Sequence, residues 1–426
     1  MKIKKQSVKM VIGFASVLLI GILLLTAVYA LPTERIKEHV SESLFVLQRE
    51  GEYPSQFKNM VACKMDNYTD ALMLSTSAIG SDHPFKAAFR TSSYYTKTSG
   101  KGPIDALTEQ MLGTGECKAK VRDYCWYWHG YVVILKPLLL FFNLHEIRVI
   151  SQMVFGILFG VVLLLLWQKV NWKIAVSFFI SMMMCCIYVV TYSLQLSNMV
   201  YLTLVGMFVL LLFYDYLEKK NAFFLFFLIM GMLTSYMDLL TAPLLVFGIL
   251  LILKVVMGQG EQKFITTFLQ GLSWGFGYLG MWAAKWTIGT LILKKNVFQL
   301  AGRKILQRTS GEAQGIDPHI ANVLGRLGNL FADTYLKKPL IFVLILMALG
   351  IVISVILMQR QVLVNGRKFA VLLLISLSPF VWFMTLRNHT YIHYWFSYRS
   401  IAVTFFGILS YIACLSNKSN SNMGTL

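Results

Sequence analysis

Apolar runs long enough to span a membrane recur along most of this chain, separated by short polar stretches. Crossing the hydrocarbon core takes roughly 20 mostly apolar residues per helix. Read in order, the runs predict helices over 10–31, 146–167, 174–194, 199–217, 222–237, 239–257, 264–288, 339–358, 369–386 and 400–416. The pattern predicts an all-α membrane protein of about 10 transmembrane helices, organised as a single polytopic domain over 1–426. The first run follows Lys2, Lys4, Lys5 and Lys9 and exceeds the ~7–15-residue core of a cleaved signal, so it reads as a retained helix. The stretch 131–143 is apolar but short, and Lys136-Pro137 interrupts it. It reads as a re-entrant or interfacial helix.

Two longer polar regions break the pattern, one over 32–131 and one over 289–338. The first opens with Ile36, Val40, Leu44 and Leu47 on one helical stripe between charged residues, which predicts an amphipathic juxtamembrane helix. Its middle, 75–115, is rich in Ser, Thr and Gly and predicts an ordered loop with little core of its own. In the second region Phe298, Ala301 and Ile305 fall on one face with Lys304 and Arg308 near the other, predicting a basic amphipathic helix at a membrane surface. No repeat of fixed period is visible.

Composition supports this reading: 57% of residues are hydrophobic and 14% charged, with mean hydropathy +0.63. A net charge of +19 would point to nucleic acid in a soluble chain. Here the cations lie mostly in short loops, where orientation and anionic headgroups account for them, so membrane lipids and not nucleic acid are the implied partners. With a cytoplasmic N-terminus, the short inner loops carry Lys169, Lys173, Lys219, Lys220, Lys254, Lys263, Arg360, Arg367 and Lys368, against Arg387 and Arg399 outside. That asymmetry places both termini in the cytoplasm and both large loops outside. Cys117 and Cys125 can pair on an oxidising face, whereas Cys185, Cys186 and Cys414 read as apolar fillers.

Four polar clusters share the outer side of that topology. Asp66 and Asp70 lie four apart, on one face of a helix; a carboxylate there can act as general base or hold a divalent cation, or it can cap a helix. Residues 123–131, with Trp128, His129 and Tyr131, form either an interfacial belt or a stacking platform for a sugar. Asp238 at a hairpin tip either caps the next helix or needs a partner beside the hydrocarbon. Between Arg387 and Arg399 lie His389, His393 and Tyr398; arginine forks suit phosphate, and imidazole can bind or move a proton. No motif requires a metal or another cofactor, although a divalent ion is compatible with the acids. The absence of a phosphate-binding loop or dinucleotide fingerprint argues against an ATP-driven pump.

These features resemble the GT-C superfamily of membrane glycosyltransferases. The resemblance rests on an N-terminal helix, a large outer loop bearing an acidic residue, and a many-helix bundle. Its motifs are Asp66 with Asp70, Tyr127-Trp128-His129-Gly130-Tyr131, and Asn388-His389 with His393, followed by Tyr398-Arg399. It implies an inverting enzyme of the cell membrane that takes a sugar from a polyprenyl-phosphate carrier and gives it to a glycan, lipid or protein acceptor. By that resemblance Asp66, or else Asp70, is the general base. Arg387, Arg399 and His393 neutralise the leaving phosphate, and Arg303, Lys304 and Arg308 guide the carrier. Two features depart from the family: Asp66 lies well after the first helix, and no tight DxD or ExD pair occurs. A polymerase or ligase acting on lipid-linked glycans, and a lipid or glycan flippase, remain alternatives. The mid-membrane segments are almost free of charge apart from Lys285, unlike a transporter with a charged midplane.

Overall fold

The computed structural model describes residues 2–113, 118–258, 264–310, 318–336 and 366–416, and these are mostly helical. The first apolar run forms α1 (Lys2–Tyr29). The outer-loop stripe forms α2 (Glu34–Glu50), in which Ile36, Val40, Leu44 and Leu47 are all buried as the spacing requires. Next come α3 (Asn67–Ala78), α4 (Pro84–Arg90), α5 (Pro103–Leu112) and α6 (Val132–Leu139). The bundle continues through α7 (Leu144–Lys169), α8 (Trp172–Met183), α9 (Leu194–Lys219), α10 (Phe223–Met237), α11 (Pro243–Met257) and α12 (Phe264–Leu293). Beyond it lie α13 (Val297–Thr309), α14 (Ile320–Phe331), α15 (Gly366–Thr385), α16 (Arg387–Ile392), α17 (Tyr394–Ser397) and α18 (Ala402–Ser416).

Among the described residues, four helical stretches are long and apolar enough to cross a membrane: Gln6–Tyr29, Leu144–Lys169, Leu194–Lys219 and Tyr394–Cys414. Shorter apolar helices cover Trp172–Met183, Phe223–Met237, Pro243–Met257 and Ala370–Thr385. The helix expected over 339–358 lies outside the described residues.

Local structure differs from the sequence expectation in three places. The run 174–194 is not one helix: α8 stops at Met183, Cys186 takes a left-handed φ of 49°, and Ile187–Tyr192 forms a tight 3₁₀ segment. The run at 131–143, read as a short re-entrant or interfacial helix, forms the eight-residue α6, about 12 Å long and packed against α1, α2 and α3. The chain is not purely helical, because β1 (Ser92–Tyr95) pairs antiparallel with β2 (Lys120–Asp123). Finally, the polar middle of the first loop does have a core: Ala88, Phe89, Tyr94, Ile104, Ala106 and Leu107 are buried in one cluster with α2 and α3. Its apolar residues are too widely spaced among Ser, Thr and Gly to show as a run.

One helix contact sets the geometry of everything that follows. Gly231 on α10 meets the Trp274 carbonyl, and Gly277 on α12 meets the Leu228 carbonyl, so closely that a Cβ on either would strike backbone. Small residues let apolar helices approach at this range. The approach brings the end of α10, and Asp238 just beyond it, alongside the aromatic face of α12.

Candidate functional site

Asp70 and Asp66 sit one helical turn apart on α3 but in different surroundings. Asp70 is fully buried at the N-terminus of α9. It accepts from the Leu194 N–H (3.0 Å), the Gln195 N–H (2.9 Å) and the Ser193 hydroxyl (3.0 Å), with an Arg148 nitrogen at 3.7 Å. A carboxylate there is favoured by the free N–H groups and by the helix dipole. Burial raises its pKa to about 6 against the opposing pull of Arg148 and the N–H donors, so it remains ionised at neutral pH. Arg148 also pairs with Glu50 at 2.9 Å and donates to Asn67 at 2.7 Å. Asp70 therefore ties the outer loop to the bundle, and its acceptor sites are taken.

Asp66 caps α3, accepting the Thr69 N–H at 3.0 Å. The capping role weighed against catalysis in the sequence is thus present, but it uses one oxygen. Burial first, and then the Asp70 carboxylate, push Asp66 up to about 7. Around it stand Tyr53, stacked on Tyr68 at 5.9 Å and edge-on to Trp395 at 5.5 Å, and Tyr124, on whose hydroxyl Asp66 acts. Asp123 lies nearby but is engaged at the surface by Lys295 and Arg90.

The aromatic cluster divides into two halves. Trp128, His129 and Tyr131 belong to the core. Trp128 is fully buried and donates to the Met281 carbonyl at 2.7 Å. The His129 ring lies 2.9 Å from the Tyr124 carbonyl, which can only accept, so Nε2 carries the proton and Nδ1 accepts from Tyr131 at 3.0 Å. Burial and Lys285 hold His129 neutral, at about 3. These three residues fix the loop's shape; they do not form the expected platform. The other half, Trp126 and Tyr127, lines an aromatic cavity of about 480 Å³.

The cavity runs along α12, where Trp274, Tyr278, Trp282 and Trp286 recur every fourth residue and their rings follow one another at 5.0, 5.0 and 5.8 Å. α13 and α15 close its other sides through Ala301, Ile305 and Trp382, with Leu386 just beyond α15. Lys304 and Arg308 line the same cavity as Ala301 and Ile305, and not the opposite face as expected. At 3.6 residues per turn, 301, 304, 305 and 308 form a single stripe. Arg303 points elsewhere and is exposed.

Arg308 joins three separate segments. It donates to His389 Nδ1 at 3.0 Å, and His389 Nε2 donates to the Leu240 carbonyl at 2.8 Å. Burial keeps His389 far below the usual histidine range, and burial with Arg308 lowers His393 to about 3. Asn388 donates to the Ser310 carbonyl at 2.6 Å, pinning α16 to the end of α13. On its other side Arg308 acts on the Tyr124 hydroxyl, as do Arg122 and Asp66. Lys304 is pushed down by burial and by the charges of Arg308 and Arg122, with no acid opposing them. Lys304 and Arg308 thus line the cavity with Arg122 close enough to act on Lys304, and no carboxylate forms an ion pair with any of the three among the described residues.

The remaining expectations separate by place. Asp238 follows α10, buried, with Oδ1 accepting the Thr241 N–H at 2.8 Å. Tyr398 donates to the Ala62 and Cys185 carbonyls, both at 3.0 Å, and Arg399 donates to Ala62 at 3.0 Å. Both are buried ties between the outer loop and the bundle, and neither lines the cavity. Arg387 opens α16, half-buried, and is likewise not among the lining residues. His389 has both ring nitrogens engaged, and no group of three His, Cys, Asp or Glu is placed to hold a metal among the described residues. Cys125 is a buried thiol, and Cys117 lies outside the described residues. The α12 ladder and Arg148 were not singled out in the sequence, although the four-residue spacing of 274, 278, 282 and 286 was visible there. Compared with family models, curated proteins and solved structures, the chain matches none of them.

Proposed function

We propose that this chain is a multi-pass membrane glycosyltransferase of GT-C type, which moves a sugar from a polyprenyl-phosphate carrier to an acceptor on the extracytoplasmic side. The reading includes about ten spans with both termini in the cytoplasm. One observation carries it: Lys304 and Arg308 line an aromatic cavity without a paired acid, and Arg308, Arg122 and Asp66 all act on the same Tyr124 hydroxyl beside it. Unpaired clustered cations fit an anion, arginine forks fit phosphate oxygens, and the aromatic walls fit an isoprenoid chain.

In this arrangement the carrier's chain lies along Trp274, Leu279 and Trp382 with its phosphate at Lys304 and Arg308. The acceptor enters among Tyr53, Tyr68 and Tyr124. Asp66 takes the proton of the acceptor hydroxyl as its oxygen bonds to the anomeric carbon. The bond from that carbon to the phosphate oxygen breaks on the opposite face, and its electron pair leaves with the phosphate. Lys304 and Arg308 stabilise the charge that develops there. A base near pKa 7 suits proton transfer at neutral pH. His389 acts through Arg308 by accepting its N–H. Arg308 replaces Arg387 and Arg399 as the phosphate ligand.

The test is polyprenyl-phosphate release by the purified chain in lipid from a panel of polyprenyl-phosphate sugars with candidate acceptors, for wild type and Asp66→Asn. Release that is lost in the variant, with carrier binding kept, supports the reading. Equal release by both rejects Asp66 as the base. Binding without release from any donor favours transport of the carrier.

A further inference from the structure

A hydrocarbon chain leaves part of the cavity wall unexplained. Where Tyr127, Tyr278 and Leu240 meet, the Tyr278 hydroxyl is buried with no hydrogen-bond partner among the described residues, although its ring lines the cavity. Asp238, 3% exposed, stands behind that wall and not in it, and it too has an unused atom: Oδ1 accepts from Thr241, and Oδ2 is buried with no hydrogen-bond partner among the described residues. The two are neighbours, since the Asp238 carboxylate acts electrostatically on both Tyr278 and Tyr127. Trp282 adds a third buried, unpartnered group, its indole N–H, one turn along the same wall. Buried polar groups in proteins are nearly always paired, so a set without partners beside an open cavity calls for a ligand that supplies them. Two donors and a carboxylate oxygen, next to aromatic faces, match a ring bearing several hydroxyl groups.

We propose that Asp238 and Tyr278, with Trp282, form a hydroxyl-recognition subsite that reads the glycosyl ring of the donor, next to the phosphate held by Arg308. This rests on the glycosyl-transfer reading and adds which residues select the sugar. In it, Asp238 Oδ2 accepts from one ring hydroxyl, Tyr278 and Trp282 donate to others, and the alkyl chain leaves the phosphate on its other side, past Leu279 and Trp382. Asp238 here binds and selects; the proton transfer stays with Asp66.

The experiment measures equilibrium binding to the full chain in lipid nanodiscs. The probes are bare polyprenyl phosphate and its glucosyl, galactosyl, mannosyl and N-acetylglucosaminyl forms. At least one glycosyl form is expected to bind wild type about tenfold tighter than the bare lipid, the order of one or two well-placed hydrogen bonds. Tyr278→Phe removes only the hydroxyl, and Asp238→Asn keeps the acceptor that caps Thr241. Each is expected to erase that tenfold gain and leave bare-lipid affinity unchanged. Glycosyl forms that bind wild type no tighter than the bare lipid would overturn the subsite and spare the carrier site. Variants that lose affinity for bare and glycosylated lipid alike would also overturn it, showing a structural role. Failure of wild type to bind even the bare lipid would defeat the carrier reading, and this inference with it.

Discussion

Two buried aspartates, Asp70 and Asp238, show how the same side chain is fully bonded by the fold in one place and left with an unused oxygen in another. Asp70 lies where α3 meets the start of α9, and every acceptor position it offers is used by Ser193, two backbone N–H groups or Arg148. Asp238 lies where the end of α10 meets α12, and one of its oxygens faces no donor among the described residues. Their burial is nearly equal, so exposure does not separate them. What separates them is whether the protein completes the hydrogen bonding. A finished network holds the fold, and an unfinished one beside a cavity awaits a ligand.

The largest effect that sharpens this contrast is on stability. Asp70→Ala leaves two helix N–H groups and Ser193 short of an acceptor and weakens the charge balance of buried Arg148. The expected cost is about 3–5 kcal/mol, read as a lower midpoint in thermal unfolding followed by circular dichroism. A loss below about 1 kcal/mol would mean that α9 is held by packing alone.

Second is carrier affinity. Arg308→Ala is expected to weaken polyprenyl-phosphate binding by about 10- to 100-fold, or about 1.5–3 kcal/mol, because a charge-assisted contact is lost. Thermal stability should change little, since the Arg308 contact to His389 is part-buried and Asn388 still pins α13. Equal loss in both readouts would make Arg308 a fold residue and remove the contrast.

Third is the pH profile of transfer. With Asp66 raised to about 7, the rate should climb about tenfold per pH unit below 7 and level off above it. Asp66→Glu should move the point of levelling, and a profile flat from pH 5 to 8 would exclude Asp66 as the base.

The smallest effect reverses the sign of the first. Burial raises Asp238 from the usual 3.8 to about 7, so between those values the folded chain holds a proton that the unfolded chain releases. Its contribution to stability is full below about pH 4 and is lost as pH rises through 7. Asp238→Asn should therefore match wild type near pH 3.5 and exceed it by a wide margin at pH 8, in melts recorded at both values. A destabilised variant at both would place Asp238 with Asp70.

How much of this was legible in the sequence depended on what kind of pattern carried it. The α2 stripe and the long apolar runs declared themselves because burial by one helix face repeats at a fixed spacing. The four polar clusters were legible as composition, but their division was not. Within 126–131, adjacent residues turn toward different neighbours: Trp126 and Tyr127 reach the cavity, while Trp128 and His129 enter the core. His129 adopts a left-handed φ of 57°, a backbone reversal that no periodicity announces. Asp66 and Asp70 share a helix face in sequence, yet only the fold brings Ser193 and Arg148 to one of them. The α12 ladder was legible and overlooked, since aromatics inside an apolar run read as membrane filler until a neighbouring helix leaves a cavity against them.

The central claim is that the cations at the mouth of the α12 cavity hold the phosphate of a polyprenyl carrier beside Asp66. The most direct measurement is a cryo-electron microscopy structure of the chain in a lipid nanodisc with polyprenyl phosphate added. The account predicts phosphate density against Lys304 and Arg308, with the chain running along Trp274, Leu279 and Trp382. A carrier bound elsewhere with this cavity unfilled would contradict it.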